Sequence, residues 1–141
     1  MTDIFKTNAD LLVNPVNTKG VMGAGLAYQF KLRYPLMFDS YVEACQLGHI
    51  KTGQVWFDFR NKPYICCFPT KDHWKDKSKI EYIDLGMQDF VDKLNGFKSL
   101  VKTVALPRIG CGLGGLEGEH VEAVIQKNLR NLDDHFEVII C

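Results

Sequence analysis

Two glycine-rich segments constrain the fold of this chain more than any other feature. Residues 20–25 (GVMGAG) and 110–115 (GCGLGG) lie about ninety residues apart, and each follows a strand-like apolar run and precedes a helix-like run. Glycine tolerates positive φ and lets backbone N–H groups approach an anion without a Cβ atom in the way. The helix that follows adds unpaired N–H groups and the positive end of its dipole. The two units predict an α/β fold that holds a phosphate-containing ligand between two backbone loops.

The remaining apolar pattern completes an α/β sandwich. We predict strands at residues 10–16, 54–59, 63–68, 103–106 and 136–140, and helices at residues 25–34, 35–46, 80–94 and 121–132. The second and third strands are rich in aromatic and β-branched residues and form a predicted hairpin. Ser78 could cap the helix that begins at Ile80. Ligands of open α/β sheets lie beyond the carboxyl ends of the strands, so the glycine loops mark the expected site.

Composition indicates one globular domain, residues 1–141. The chain has 141 residues, 46% hydrophobic and 24% charged, enough to bury a core without disulfides or metal. Five cysteines without a CxxC pair, and no export signal or membrane-length apolar run, predict reduced, mostly buried thiols in a cytoplasmic protein. Seventeen basic residues balance seventeen acidic ones, so a nucleic-acid partner must be recognised through a local site. No membrane contact is expected, and nothing marks an oligomer surface, so we expect a monomer.

Several catalytic motifs are absent from the sequence. Neither glycine segment ends in the Lys-Ser/Thr of a nucleoside-triphosphate loop, and the first does not read GxGxxG as a dinucleotide-binding turn would. GxSxG is missing, and the four histidines do not stand at metal-ligand spacing. ATP hydrolysis, hydride transfer and a metal site are therefore disfavoured, and no cofactor is expected.

Two carboxamides and one lysine are candidate functional groups. Asn14 and Asn17 stand where the first strand meets its loop, where each could bind a sugar hydroxyl or cap a turn. Lys71, in the loop FPTKDHWK, could be a nucleophile or electrostatic catalyst at an electrophilic sugar carbon, or a solvated surface lysine. Beside it, His73 and Trp74 could stack on a base or cover the edge of the core.

Together these segments resemble the macrodomain family, an ADP-ribose-binding α/β module. The resemblance spans nearly the whole chain, from Asp3-Ile4 at the opening of the first strand through VNPVN (residues 13–17) and GVMGAG to LPRIGCGLGGL (residues 106–116). The variant MGAGLAYQFK is similar to the branch that contains human terminal ADP-ribose glycohydrolase. FPTKDHW, followed by Ser78, resembles the macrodomains of DarG antitoxins, which remove ADP-ribose from thymidine in DNA. The resemblance implies a three-layer α/β/α sandwich with a mixed central sheet.

The resemblance also implies roles for individual residues. Asp3 would bind the adenine amino group with support from the backbone of Ile4, and Asn17 would bind the distal ribose. Lys71 matches the catalytic lysine that acts at the anomeric carbon. The other implied substrate contacts come from the two glycine loops and the residue before the lysine: Val21, Met22, Gly23, Gly25, Thr70, Ile109, Gly110, Cys111, Gly112, Leu113 and Gly114.

One position separates the members of this branch. The glycohydrolase that acts on protein carboxylates has an aspartate where this chain has Gly114, whereas DarG-like sequences have glycine. We therefore expect an enzyme that removes ADP-ribose from a modified macromolecule, with thymidine in single-stranded DNA as the leading target. Two alternatives stay open: hydrolysis of glutamate ADP-ribose esters or ADP-ribose 1″-phosphate, and non-catalytic binding of ADP-ribose. The expected partners are ADP-ribose and ADP-ribosylated DNA or protein.

Overall fold

Strand β1 (Leu11–Val16) lies at the centre of a five-stranded sheet in the computed structural model, which describes residues 2–111 and 114–141. The order is β2–β3–β1–β4–β5, where the other strands are β2 (Trp56–Asp58), β3 (Tyr64–Pro69), β4 (Thr103–Leu106) and β5 (Glu137–Ile140). β2 is antiparallel to β3, and the other neighbours are parallel. The structure therefore confirms the predicted hairpin and the mixed sheet.

Two pairs of helices cover the two faces of the sheet: α1 (Gly25–Arg33) with α2 (Pro35–Gln46), and α3 (Ile80–Leu94) with α4 (Gly118–Leu129). Side chains alternate along β1, so Leu11 and Val13 pack towards α3 and α4, while Leu12 and Val16 pack towards α1 and α2. Both faces of this central strand are buried, which explains its nearly continuous apolar sequence. The result is the predicted three-layer α/β/α sandwich.

Local geometry differs from the sequence predictions near three chain segments. Lys79, not Ser78, occupies the N-cap position of α3, and the Ser78 hydroxyl donates to the Thr70 carbonyl instead. Asp3 and Ile4 do not open a strand: Asp3 caps a 3₁₀ helix, Ile4–Lys6, that precedes β1. The last helix spans Gly118–Leu129, several residues earlier than predicted, because the chain turns after Leu129.

The five cysteines are all free thiols. Cys66 and Cys67 on β3 are fully buried, but Cys45, Cys111 and Cys141 are only partly buried, so the expectation of mostly buried thiols was wrong. Each of the three lies at the end of an element or in a loop rather than inside the sheet. Within the described residues, no helix has the length and apolar character that a membrane span requires.

Candidate functional site

The carboxyl ends of β1, β3 and β4 meet at one edge of the sheet. Because these strands are parallel, the residues that follow them come together there and enclose a cavity of about 570 Å³. This volume falls within the range of small-molecule sites, roughly 300–1,000 Å³. The described lining comes from the two glycine loops, the start of α1 and the ends of the three strands: Pro15, Val16, Asn17, Val21, Met22, Gly23, Ala24, Gly25, Leu26, Ala27, Thr70, Lys71, Trp74, Pro107, Arg108, Gly110, Cys111 and Gly114.

Asn17 holds the first glycine loop in shape. Its amide nitrogen donates to the Val21 carbonyl at 2.7 Å, and its side-chain oxygen accepts from the Lys19 N–H at 2.9 Å. The buried Tyr41 hydroxyl also donates to the backbone and side-chain oxygens of Asn17, at 2.7 and 3.0 Å. Burial raises the pKa of Tyr41 well above its usual value, so the hydroxyl stays protonated and available as a donor. The turn-forming role is thus present, and contact with a ribose stays a prediction.

The first loop has a row of backbone donors without acceptors among the described residues. Within the described parts of the chain, the N–H groups of residues 21–25 donate no hydrogen bond to a protein atom. All five residues line the cavity, and the last of them begins α1. Unpaired N–H groups at a helix N-terminus favour an anion such as a phosphate group.

The second loop turns sharply at Gly110, where only glycine fits. Its φ is +80°, and a Cβ atom would lie 2.8 Å from Leu116 Cδ1 and 3.0 Å from Ile83 Cδ1. The Leu116 N–H donates to the Gly110 carbonyl at 2.9 Å, which closes the loop over the core. The predicted contacts Gly112 and Leu113 lie outside the residues that the structure describes.

Lys71 is half-buried in the cavity wall, between two anchored neighbours. On one side, the Thr70 N–H donates to the Val16 carbonyl at 2.9 Å. On the other side, the Asp72 carbonyl accepts from the Thr18 N–H at 2.9 Å and from the Thr18 hydroxyl at 3.0 Å. The backbone on either side of Lys71 is therefore tied to β1 and to Thr18, just before the first glycine loop, which fixes the position of the Lys71 Cα atom.

The side chain of Asp72 adds a charged contact between the Lys71 loop and the residues just before the first glycine loop. Its carboxylate lies 3.6 Å from the Lys19 ammonium and accepts a hydrogen bond from the Thr18 hydroxyl. The Thr18 hydrogen bond, with help from the Lys19 charge, lowers the pKa of Asp72 despite slight burial. This carboxylate is thus engaged with the first loop, next to Lys71 in sequence.

Ser78 ties the lysine loop to the second glycine loop. Its N–H donates to the Gly114 carbonyl at 2.8 Å, and its hydroxyl donates to the Thr70 carbonyl. Ser78 is only 6% exposed, so both bonds are shielded from water. The serine predicted as a helix cap is instead the link between two walls of the cavity.

The described lining is positively charged. Lys71 and Arg108 are its charged side chains, it includes no Asp or Glu, and neither cation forms an ion pair with a described residue. Burial raises the pKa of the Cys111 thiol more than the nearby Arg108 lowers it, so this thiol contributes no negative charge. A cavity in which two cations and several N–H groups have no partner among the described residues is complementary to a diphosphate.

The two residues predicted to bind adenine, Asp3 and Ile4, are outside the described lining of the cavity. Asp3 is exposed and accepts from the Phe5 N–H at 2.9 Å, while Ile4 is buried in the core. Burial, with a smaller contribution from the negative charge of Asp3, raises the pKa of the Cys141 thiol. Binding of adenine by Asp3 and Ile4 stays a prediction.

The structure brings together most of the predicted site. Ten predicted residues line the cavity, namely Asn17, Val21, Met22, Gly23, Gly25, Thr70, Lys71, Gly110, Cys111 and Gly114. Ile109 is fully buried and lies outside the described lining, and so does Asn14, whose amide donates to the Met22 sulfur at 3.7 Å. Sequence reasoning gave no role to Arg108, although a cation just before a glycine loop is a signal for an anion site.

Comparisons with known proteins agree with this architecture. A sequence model of the Macro domain family matches residues 13–125. The DNA ADP-ribosyl glycohydrolase of Mycobacterium tuberculosis is 38% identical over 141 residues, covering 97% of this chain but only 40% of that protein. This chain therefore spans about two fifths of the length of this protein and of similar curated relatives.

Solved structures give the same result. The macrodomain of Mycobacterium tuberculosis DarG superposes with a TM-score of 0.92 at 38% identity, covering 99% of this chain and 93% of that one. Thermosipho africanus DarTG in complex with ADP-ribose gives a TM-score of 0.89 at 33% identity, covering 98% of this chain and 39% of that one. The predicted macrodomain fold is confirmed, and the chain belongs to the macrodomain family.

Proposed function

We propose that this chain binds ADP-ribose in the cavity and hydrolyses the bond between ADP-ribose and a modified macromolecule. We propose thymidine in single-stranded DNA as the carrier of the modification. The observation that carries the proposal is the position of Lys71, which lines the cavity between two anchored neighbours. The similarity to proteins named DNA ADP-ribosyl glycohydrolases, at 38% identity, supports DNA as the substrate.

The chemistry of the cavity supports ADP-ribose as the bound group. The diphosphate would accept hydrogen bonds from the free N–H groups of residues 21–25 and interact with Arg108. Asp3 would bind the adenine, and Asn17 would offer its remaining amide hydrogen to the distal ribose. The chain resembles a DarTG protein solved in complex with ADP-ribose, which supports this assignment.

Lys71 would act at the anomeric carbon of the distal ribose. Binding energy from the adenosine and diphosphate would hold the scissile C–N bond against the lysine. As a nucleophile, the neutral amine would form a C–N bond as the bond to thymine breaks, and thymine would take up a proton. Water would then release ADP-ribose from the lysine. As an electrostatic group, Lys71 would stabilise the transition state while water attacks directly; both routes consume one water and yield ADP-ribose and thymidine.

Replacing Lys71 tests this proposal. Lys71→Ala should keep the Kd for ADP-ribose within a few-fold but lower turnover of a thymidine-ADP-ribosylated oligonucleotide by about a hundredfold or more, the scale of a lost catalytic group. Lys51→Ala, at an exposed lysine outside the cavity lining, is the matched control and should behave as the original protein. Undiminished turnover in Lys71→Ala would remove Lys71 from the mechanism.

A parallel substrate decides between the alternatives. Release of ADP-ribose from a glutamate-ADP-ribosylated protein but not from DNA would move the target to carboxylate esters. Binding of ADP-ribose without release from either substrate, or from ADP-ribose 1″-phosphate, would make the chain a non-catalytic reader. Reductive trapping with cyanoborohydride separates the two roles of Lys71 when free ADP-ribose, whose aldehyde form also reacts with amines, is the control. The nucleophilic route should give more Lys71 adduct from the modified oligonucleotide than from free ADP-ribose, whereas the electrostatic route should give no such excess.

A further inference from the structure

We propose that Trp74 is a stacking platform for a nucleobase next to the modified nucleotide, so that residues 73–77 form the part of the cavity rim that contacts single-stranded DNA. This inference rests on the proposed function. It adds a contact surface for the DNA strand to the cavity that would bind ADP-ribose. Its basis is the position, rigidity and charge of this rim.

Trp74 combines exposure with a place in the cavity wall. Its exposed fraction is 46%, and it lines the same cavity as Lys71. Large apolar side chains exposed elsewhere in the described residues, on helices or distant turns, are outside this lining: Tyr28, Leu32, Leu36, Leu47, Leu85 and Leu100. An exposed indole in the wall of this cavity is suited to a partner with flat aromatic groups.

The indole of Trp74 is held in place before any ligand arrives. The His73 ring stacks on it with the centroids 3.8 Å apart and the planes 25° from parallel. His73 is itself fixed, because its Nδ1 accepts from the Lys75 N–H at 3.1 Å and its carbonyl accepts from the Asp76 N–H at 3.0 Å. A preorganised ring loses little conformational entropy when a base stacks on it.

The charges around Trp74 complement a phosphate backbone. Lys75 and Lys77 are exposed and form no ion pair with a described residue, and Lys75 Nζ lies 5.8 Å from the Trp74 ring centroid. Residues 73–77 contain one carboxylate, Asp76, which is exposed. The preceding carboxylate, Asp72, is paired with Lys19. Aromatic rings flanked by basic side chains are the usual means of binding single strands without reading their sequence. We therefore assign this rim to single-stranded DNA, whose bases offer flat faces to the ring and whose phosphates carry the charge that the lysines complement.

A comparison of two substrates tests the platform. A short oligonucleotide ADP-ribosylated on an internal thymidine has flanking bases, whereas ADP-ribosylated thymidine has none. Trp74→Ala should lower kcat/KM for the oligonucleotide about tenfold more than for the nucleoside, because one base–aromatic stack is lost. Trp74→Phe should restore most of the difference, and Leu100→Ala, at a side chain 45% exposed outside the lining, should show none. An equal loss on both substrates would overturn the proposal.

Fluorescence provides a readout that does not need turnover. The chain has two tryptophans, so Trp56→Phe leaves Trp74 as the reporter, and Lys71→Ala prevents cleavage. The modified oligonucleotide should quench Trp74 emission clearly more than free ADP-ribose does; equal or absent quenching would overturn the platform. If the unaltered protein hydrolyses neither substrate but the differential quenching is present, the proposed hydrolase activity fails and the DNA-binding rim stands.

Discussion

The close contact between α3 and β3 predicts that Gly86→Ala, which adds one methyl group to α3, will destabilise the fold. A Cβ atom at Gly86 would lie 2.5 Å from Phe68 Cζ and 2.6 Å from Phe68 Cε1, about 1 Å closer than carbon atoms normally pack. Phe68 is fully buried between the sheet and α3, so neither the ring nor the helix can move away freely. Overpacking of this kind costs about 1–3 kcal/mol. Alanine also favours the helix by about 1 kcal/mol over glycine.

The overpacking and the gain in helix propensity oppose each other, and the contact distances decide the sign of the net change in the free energy of unfolding. A rigid ring at 2.5 Å places the overpacking at the upper end of its range, so Gly86→Ala should lower the free energy of unfolding by about 2 kcal/mol. Urea unfolding followed by circular dichroism measures this change. Gly118→Ala is the matched control, because Gly118 begins α4 and a Cβ atom there would meet nothing within 4 Å.

The comparison between the two alanines refutes or supports the reasoning. We expect Gly118→Ala to leave stability unchanged or to raise it by about 0.5 kcal/mol. If Gly86→Ala were equally stable, the close packing of α3 on Phe68 would be wrong. A double-mutant cycle adds the cause: Phe68→Leu should cost less in the Gly86→Ala background than alone, since the smaller side chain relieves the overlap.

Two further predictions concern hydrogen bonds that link distant segments. Ser78→Ala leaves the Thr70 carbonyl without its donor and should cost about 1 kcal/mol of unfolding free energy; it should also lower kcat about tenfold with little change in ADP-ribose Kd, and Ser78→Thr should restore kcat. Burial opposes ionisation of Asp10, but hydrogen bonds from the N–H groups of Thr103 and Lys102, at 3.0 and 2.8 Å, outweigh it and lower its pKa. Asp10→Asn should therefore destabilise by about 1 kcal/mol at pH 7. Because a depressed carboxyl pKa stabilises only above the unfolded value, urea titrations should show the difference disappearing as the pH falls below about 4.

The elements of this fold could be predicted where the local pattern and the tertiary packing agree. The apolar positions of α3 recur at helical spacing, and Ile83, Met87 and Phe90 are fully buried in the structure. Pro35 marks the break between α1 and α2, because a proline disfavours helix in the residue before it. The glycine loops could be found for a similar reason, because Gly20, Gly25, Gly110 and Gly115 have the positive φ that favours glycine.

The order of the strands and the linkage of the loops could not be predicted from local patterns. β1 lies between β3 and β4, which are far apart in sequence, and no short-range signal encodes that pairing. Ser78 was assigned to the nearest helix end, but partners distant from that end, Thr70 and Gly114, take both of its hydrogen bonds. The hydrogen bonds between Asn17 and Tyr41 could not be predicted either, because they depend on the packing of α2 against the first loop.

Gly114 connects the packing of the site to its charge. A Cβ atom at this position would lie 3.3 Å from Ser78 Cβ, closer than carbon atoms ordinarily approach, so a larger residue would press on the side chain that holds Thr70. Gly114 therefore preserves the hydrogen bond from Ser78 to Thr70, which holds the backbone next to Lys71 in place. It also leaves the described lining without a carboxylate, so that Lys71 and Arg108 act unopposed on an anionic ligand. Glycine at this position is therefore compatible with the proposed diphosphate site and with the proposed reaction, in which Lys71 rather than a lysine–carboxylate pair would contact the sugar.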